Sequence, residues 1–389
     1  MEIRDWRLEI RDWRLVDGMP SLFQNLPIIQ SPNLQSPISN LNSMSDLTDS
    51  IHTYLTTAPA SGFAGLAVDM LDHWHGDGNL LWRVSVHGED AVVKLFLDAG
   101  QARGRRQFDG QGLFAPLGVA PEPLWFDRYP EGLARQVLVY RWVKGRAVNT
   151  EDAGELAAVA ASAALLHNID AASVRRISPR AVNLDYFWRI LAGGITPAQQ
   201  WLEENGCEPV AALLHNLAKA AEAIVGAALP LWQTAPPTPT HGDLKLENAL
   251  IAGGHAVLLD WEMFGLGDPA LEVATFLFDS TSTTSEAIRK HWLPRYLDAA
   301  QLPGVEARIA IYARLLPFQR LMFLLNGLRQ LTPADRRDPA FRSNTDFLIQ
   351  TITVAGQSAT MSLDIGPALT DEALRHAIGR LIFDEGETP

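Results

Sequence analysis

The spacing of apolar residues changes period along the chain, and that change predicts two kinds of structure. Leu80-Leu-Trp-Arg-Val-Ser-Val86 and Ala91-Val-Val-Lys-Leu-Phe-Leu97 are β-branched and aromatic runs, and His87-Gly-Glu-Asp90 between them has a hairpin composition. Residues 103–114 predict a helix weakened by Gly104, Gly110 and Gly112. Pro121-Glu-Pro123 opens another strand region, and residues 136–140 form a short apolar strand. Beyond Gly145 the period lengthens. Residues 151–167, 210–228 and 307–330 are rich in Ala and Leu at helical spacing. Strands followed by helices make an α+β fold: a small β-rich lobe over 45–143, a larger helical lobe over 144–360, and a short helical tail over 361–389.

The first 44 residues follow neither pattern. Glu2-Ile-Arg-Asp-Trp-Arg-Leu8 is repeated unchanged as residues 9–15, and Gln-Ser-Pro recurs at 30–32 and 35–37. Two heptads are few for a coiled coil, and the Ser/Pro/Asn-rich stretch after them has little to pack. The expectation is a disordered or mis-annotated extension, with Met19 or Met44 as the start of the folded chain. A short amphipathic docking helix is the other reading.

Composition narrows the function. The chain has 389 residues and a net charge of −13. A general binder of nucleic acid or anionic membrane would carry a basic footprint, so neither is expected as a partner. One cysteine, Cys207, rules out a disulfide framework or a thiolate metal cluster and fits a cytoplasmic location. The best apolar run, residues 315–328, is interrupted by Pro317, Arg320 and Asn326 and is too short for a membrane span.

The chemistry is concentrated in one block. Thr240-His-Gly-Asp-Leu-Lys-Leu-Glu-Asn248 leads into a short strand, a Gly-Gly turn, and a second strand ending at Asp260-Trp-Glu262. Asp243 and Asn248 lie five apart across a loop, and the hairpin returns Asp260 beside them. Two carboxylates and an amide oxygen suit Mg²⁺, a hard cation that takes few protein oxygens and completes its shell with phosphate and water. The spacing also suits phosphoryl transfer, in which one Asp accepts the proton of the substrate hydroxyl.

These motifs resemble those of the aminoglycoside phosphotransferase and choline kinase superfamily, whose members share a protein-kinase-like, two-lobed fold. The resemblance rests on His241-Gly-Asp243, Asn248, Asp260-Trp-Glu262 and Gly267-Asp-Pro269, and extends loosely over residues 50–350. It implies an ATP- and Mg²⁺-dependent kinase acting on a hydroxyl of a small molecule. Asp243 falls on the base, Asn248 and Asp260 on the metal ligands, and His241 on a residue that orients the loop. Lys94, a lysine within an apolar strand, falls on the phosphate-contacting lysine. Gly76, Gly78 and Asn79 fall on the nucleotide loop, and Tyr140, Trp142 and Val143 on the hinge that meets adenine. Lys245 stands two residues after the base, placed to neutralise the transferring phosphoryl group or simply solvated.

Two departures from the family pattern bear on activity. Gln107 occupies the place of the helix glutamate that pairs with the strand lysine in kinases of this fold. Either another acid, such as Asp109, supplies the charge, or the enzyme tolerates its loss, or the protein is a catalytically impaired nucleotide-binding regulator. Glu272 replaces the Asp usual after Gly-Asp-Pro. For the acceptor, Tyr186, Phe187 and Trp188 on one helix and Phe318, Arg320, Phe323 and Asn326 on another are candidates, with Asp185, Glu203 and Glu204 as possible carboxylates for a cationic acceptor. Apolar stripes of this kind equally describe a helical core.

Overall fold

The computed structural model describes residues 44–76, 78–97, 102–174, 183–280, 286–366 and 369–382. The duplicated heptads and the Gln-Ser-Pro repeats lie outside these residues.

Helix α1 (Met44–Thr57) precedes a five-stranded antiparallel sheet built from β1 (Asp69–His75), β2 (Asn79–Val86), β3 (Glu89–Phe96), β4 (Pro123–Asp127) and β5 (Val137–Arg141). The strand order is β1-β2-β3-β5-β4. The β2–β3 turn is the expected one, with His87 at φ 54° and Gly88 at φ 80°. Two consecutive positive φ values are what a tight hairpin needs to follow the twist of its strands. On one sheet face Leu80, Trp82 and Val84 of β2, Val93 and Leu95 of β3, and Val139 of β5 pack against Ile51, Tyr54 and Leu55 of α1. The period of two sends their neighbours to the opposite face. Lys94 therefore stands there between Leu81 and Leu138, one register step from Val92 and Tyr140.

Helix α2 (Arg103–Phe114) follows β3. Its glycines, which lower its intrinsic propensity, permit close packing. A Cβ on Gly104 would sit 2.7 Å from the Phe126 ring, and one on Gly110 would sit 2.8 Å from the Phe264 ring. The helix thus lies against the Trp261–Met263 turn, with Phe114 stacked on Trp261 at 5.0 Å.

The helical region holds α3 (Ala153–His167), α4 (Leu184–Gly193), α5 (Ile195–Glu204), α6 (Glu208–Ala228), α7 (Pro269–Asp279), α8 (Leu293–Ala300) and α9 (Val305–Gln330). After two short helical turns come α10 (Thr345–Ser362) and α11 (Asp371–Ile382). One apolar core runs through all of them and includes Leu374, Ile378 and Ile382 of α11. Two small sheets complete this region: β6 (Arg146–Ala147), β8 (Ala249–Ala252) and β9 (His255–Leu258) in one, β7 (Thr238–Thr240) and β10 (Gly265–Gly267) in the other. Among the described residues, the helix long and apolar enough to cross a membrane is the segment 208–232, not the 315–328 run. Its Ala content raises its apolarity, while Leu213, Leu214, Leu217, Ala221 and Val225 form a buried stripe at helical spacing.

Candidate active site

Strand β7 delivers the chain into His241-Gly-Asp243, and a buried carboxylate fixes the turn. Glu272, on the first turn of α7, accepts hydrogen bonds from the backbone N–H of His241 at 3.2 Å and from that of Gly242. Gly242 has φ 90°, a conformation glycine adopts without strain. The imidazole Nε2 of His167 lies 2.7 Å from the same carboxylate, and its Nδ1 lies 2.8 Å from the Tyr296 hydroxyl. Burial alone would raise the pKa of Glu272; His167, with help from His241 and the Gly242 N–H, reverses this and holds it below the usual glutamate value. Asp268 of the Gly-Asp-Pro segment anchors the base of α7. It caps the Ala270 N–H at 3.0 Å and accepts from Trp232 at 2.5 Å, Tyr312 at 2.8 Å and Arg308 at 3.0 Å.

His241 orients the rest of the loop. Its Nε2 lies 2.8 Å from the Leu259 carbonyl, and the Leu259 N–H donates to the Asn248 carbonyl at 2.7 Å. The loop, the end of β9 and Asn248 are thereby tied together. Burial lowers the pKa of His241, which favours a neutral ring in this role. Asp243 Oδ2 accepts from Asn248 Nδ2 at 2.8 Å and pairs with Lys245 Nζ at 2.9 Å. Burial would depress the pKa of Lys245, but Asp243 and, less strongly, Asp260 lift it above the usual lysine value. Lys245 is therefore a cation facing the same carboxylate as Asn248.

Asp260 stands opposite with φ 59° and ψ 61°, the left-handed region that a non-glycine residue enters at some cost. Its Oδ1 accepts from Lys94 Nζ at 2.8 Å. Burial would raise its pKa; the lysine charge lowers it, so the carboxylate is ionised. Among the described residues, no three His, Cys, Asp or Glu side chains cluster as a metal site would require. What the cleft offers instead is the Asn248 amide oxygen and the second Asp260 oxygen. This small all-oxygen set fits Mg²⁺ carried in by a phosphate chain rather than caged by protein.

Lys94 is 3% exposed and has three partners. Besides Asp260 it meets Gln107 Oε1 at 3.0 Å and Glu262 Oε1 at 2.5 Å. Burial would lower its pKa, yet the two carboxylates raise it above the normal lysine value. Gln107 thus contacts Lys94 without supplying charge, while Asp109 pairs with Arg105 at 2.8 Å. The acid beside Lys94 is Glu262. In the sequence it stands within Asp-Trp-Glu with no role of its own; the neutral Gln107 is the signal that a carboxylate must come from elsewhere. Glu262 also accepts from Asn79 Nδ2 at 2.8 Å and meets Arg103 at 3.4 Å. Gly76 makes the Asn79 contact possible, because a Cβ there would sit 2.5 Å from Asn79 Oδ1. Tyr140 lies on the same sheet face, its hydroxyl pKa pushed up to about 12 by burial. Trp142 lies under the Arg83 guanidinium at 4.5 Å and edge-on to Trp74 at 6.2 Å. Val143 comes next in the strand-to-helix connection, its carbonyl accepting from the Gly145 N–H at 3.0 Å.

The acceptor candidates separate. Phe187 and Phe318 are core residues, Phe187 edge-on to Tyr312 at 5.3 Å. Asn326 is buried beside Gly194, and Asp185 pairs with Arg189 on its own helix. Arg320 pairs with a carboxylate that feels the charge of Asp243 in the His-Gly-Asp loop. It lies 3.9 Å from Asp279 at the end of α7. Burial pushes the Asp279 carboxyl up to about 6, with Arg320 opposing and the Asp243 charge adding to the rise. Asp279 is not among the sequence-based candidates, and nothing in the spacing of α7 marks it.

An antiparallel sheet carrying a buried lysine, set over a helical region that presents paired acids, defines the protein-kinase-like class of phosphotransferase folds. The fold is similar to that of a choline/ethanolamine kinase family protein from Mesorhizobium loti, at 19% identity and TM-score 0.54, covering 85% of this chain and 99% of that one. It is also similar to ADP-bound aminoglycoside phosphotransferase APH(2'')-Ib, at 15% identity and TM-score 0.52, covering 83% of this chain and 100% of that one. No curated protein matches the sequence. The family described as Phosphotransferase enzyme family matches residues 72–316, well over half of the sequence, and the chain belongs to that family.

Proposed function

We propose that the protein is an ATP- and Mg²⁺-dependent kinase that moves the γ-phosphoryl group to a hydroxyl of a small molecule. The observation that carries this reading is the convergence of Asp243, Lys245 and Asn248 on one side of the cleft with Asp260 and Lys94 on the other. Asp243 Oδ2 is held by Asn248 and Lys245, which leaves Oδ1 for the acceptor hydroxyl. The hydroxyl gives its proton to Asp243 as its oxygen bonds to the γ-phosphorus. The bond from that phosphorus to the bridging oxygen breaks, and its electron pair leaves on ADP. Lys94 contacts the phosphates, and Lys245 offsets charge on the group in transfer. Asn248 and Asp260 would hold Mg²⁺, which neutralises phosphate charge when bound. The sheet face bearing Val92, Tyr140 and Trp142 would receive adenine, with Gly76, Gly78 and Asn79 above the phosphates.

The lysines and carboxylates gathered around Asp243 and Asp260 support turnover over the impaired-regulator reading. Asp279 and Arg320 form the acceptor side of the cleft. A loosely paired carboxylate with a raised pKa there favours an acceptor carrying an amine. The reading is tested by incubating the protein with Mg·ATP and a panel of hydroxyl compounds (amino alcohols, aminoglycosides, sugars) and following ADP release. Acceptor-dependent ADP release that is lost in Asp243→Asn supports it. ATP binding without transfer to any compound would favour the regulator.

A further inference from the structure

In kinases the strand lysine is held by a glutamate on the following helix, so both partners belong to the N-terminal lobe. Here that helix offers Gln107, whose Oε1 reaches Lys94 but whose Nε2 is buried without a hydrogen-bond partner among the described residues. A cation as enclosed as Lys94 needs negative charge beside it. Two carboxylates are in contact, Asp260 and Glu262, and they differ in kind. The Asp260 side chain is 39% exposed, keeps one oxygen without a partner among the described residues, and would turn to a metal. Glu262 is 9% exposed, and both its oxygens are engaged: Oε1 by Lys94 and Asn79, Oε2 by Arg103. It has little capacity left for a metal ion.

We infer that Glu262 is the positioning residue for Lys94, standing in for the helix glutamate that Gln107 has lost. The substitution changes the mechanics of the site. Glu262 sits on the turn after β9, in the helical region, while Lys94, Asn79 and Arg103 belong to β3, β2 and α2. One carboxylate therefore ties the lysine, the nucleotide turn and the start of α2 to the loop carrying Asp260. The lysine's countercharge no longer depends on where α2 sits. Gln107 is a remnant contact that adds a neutral hydrogen bond.

This inference rests on the nucleotide-binding reading above, and the test separates the two. Binding of the non-hydrolysable analogue AMP-PNP is measured by calorimetry, with Mg²⁺ and again in EDTA. The proteins are wild type, Glu262→Gln, Gln107→Glu, the double variant Glu262→Gln/Gln107→Glu, Lys94→Met, and Glu262→Gln combined with Lys94→Met. Circular dichroism melts check that each is folded. Glu262→Gln is expected to weaken binding by about tenfold or more, the loss of one charge-assisted contact, both with and without metal. Gln107→Glu is expected to restore most of it in the double variant, because the new oxygen replaces an amide nitrogen that has no partner. In wild type the same change is not expected to tighten binding. In the Lys94→Met background, Glu262→Gln is expected to have no further effect. Unchanged affinity in Glu262→Gln would overturn the inference, as would an effect that persists without Lys94. A loss seen only with Mg²⁺ present would make Glu262 a metal ligand instead. Absence of AMP-PNP binding by wild type would defeat the nucleotide-binding reading itself, and this inference with it.

Discussion

The His-Gly-Asp turn depends on Glu272, and replacing that residue by glutamine tests how much. The variant keeps the shape and one acceptor oxygen but puts an NH₂ where the other oxygen stood. In wild type Oε1 accepts from the Gly242 N–H, while Oε2 serves both the His241 N–H at 3.2 Å and His167 Nε2 at 2.7 Å. With the amide oxygen kept on Gly242, the His241 N–H faces another donor in a dry site, and His167 either does the same or changes tautomer to accept. A hydrogen bond to a charged group contributes about 1.5–3 kcal/mol, and a buried donor left unpaired costs about 1–3 kcal/mol, so a net loss of about 3 kcal/mol is expected. The assay is urea unfolding at pH 7, where the midpoint should fall with little change in slope. The pH dependence carries a sign. The folded pKa of Glu272 is lowered, so its contribution is present above the unfolded glutamate value of about 4.3 and is lost as pH falls through the folded value. The gap between wild type and variant should therefore be constant from pH 6 to 8 and shrink below about pH 4. Because the turn positions Asp243, turnover should fall on the order of 10²-fold with nucleotide affinity little changed. A variant within about 0.5 kcal/mol of wild type, the scatter of ordinary surface changes, would refute the argument.

Other parts of the molecule give three further expected outcomes. With a cationic acceptor, KM should fall as pH rises through about 6, where Asp279 ionises, and Asp279→Asn should flatten that profile; an unchanged profile would remove Asp279 from the acceptor site. Gly76→Ala places a methyl group 2.5 Å from Asn79 Oδ1 and should weaken nucleotide binding several-fold by displacing Asn79 from Glu262, with no loss of thermal stability. Ile51→Ala empties a fully buried position between α1 and the sheet and should cost about 2–5 kcal/mol in urea unfolding. A cost under about 1 kcal/mol would mean that α1 contributes little to the first core.

Local patterns make much of this legible from sequence. The β2–β3 hairpin is readable because alternation and turn residues agree, and α3, α6 and α9 because their apolar spacing persists over many turns. Helix α1 is harder to read, although Leu47, Ile51, Tyr54 and Leu55 recur at helical spacing, because it directly abuts a low-complexity stretch with no periodicity of its own. The glycines of α2 suggest a weak helix when their reason is tertiary: rings of Phe126 and Phe264 occupy the space a side chain would take. Within the site, Asp243, Asn248 and Asp260 sit in one contiguous block, so their convergence can be expected. The Lys94–Glu262 pair joins a strand near the N-terminus to a turn far along the chain, and no local spacing encodes such a contact. The same holds for Asp279 and Arg320, and for Phe187 and Phe318, whose burial in the core only packing could decide.

On the proposed function, Asp243 takes the proton from an acceptor hydroxyl while Lys94, Asn248 and Asp260 hold Mg·ATP. This is tested most directly by comparing wild type and Asp243→Asn in two measurements on the same preparations: AMP-PNP affinity by calorimetry, and phosphoryl transfer to the acceptor identified by the panel. Affinity is expected to be retained within a few-fold while transfer falls by about 10²–10⁴-fold, the range for loss of a positioned general base. Transfer at the wild-type rate in Asp243→Asn would contradict it.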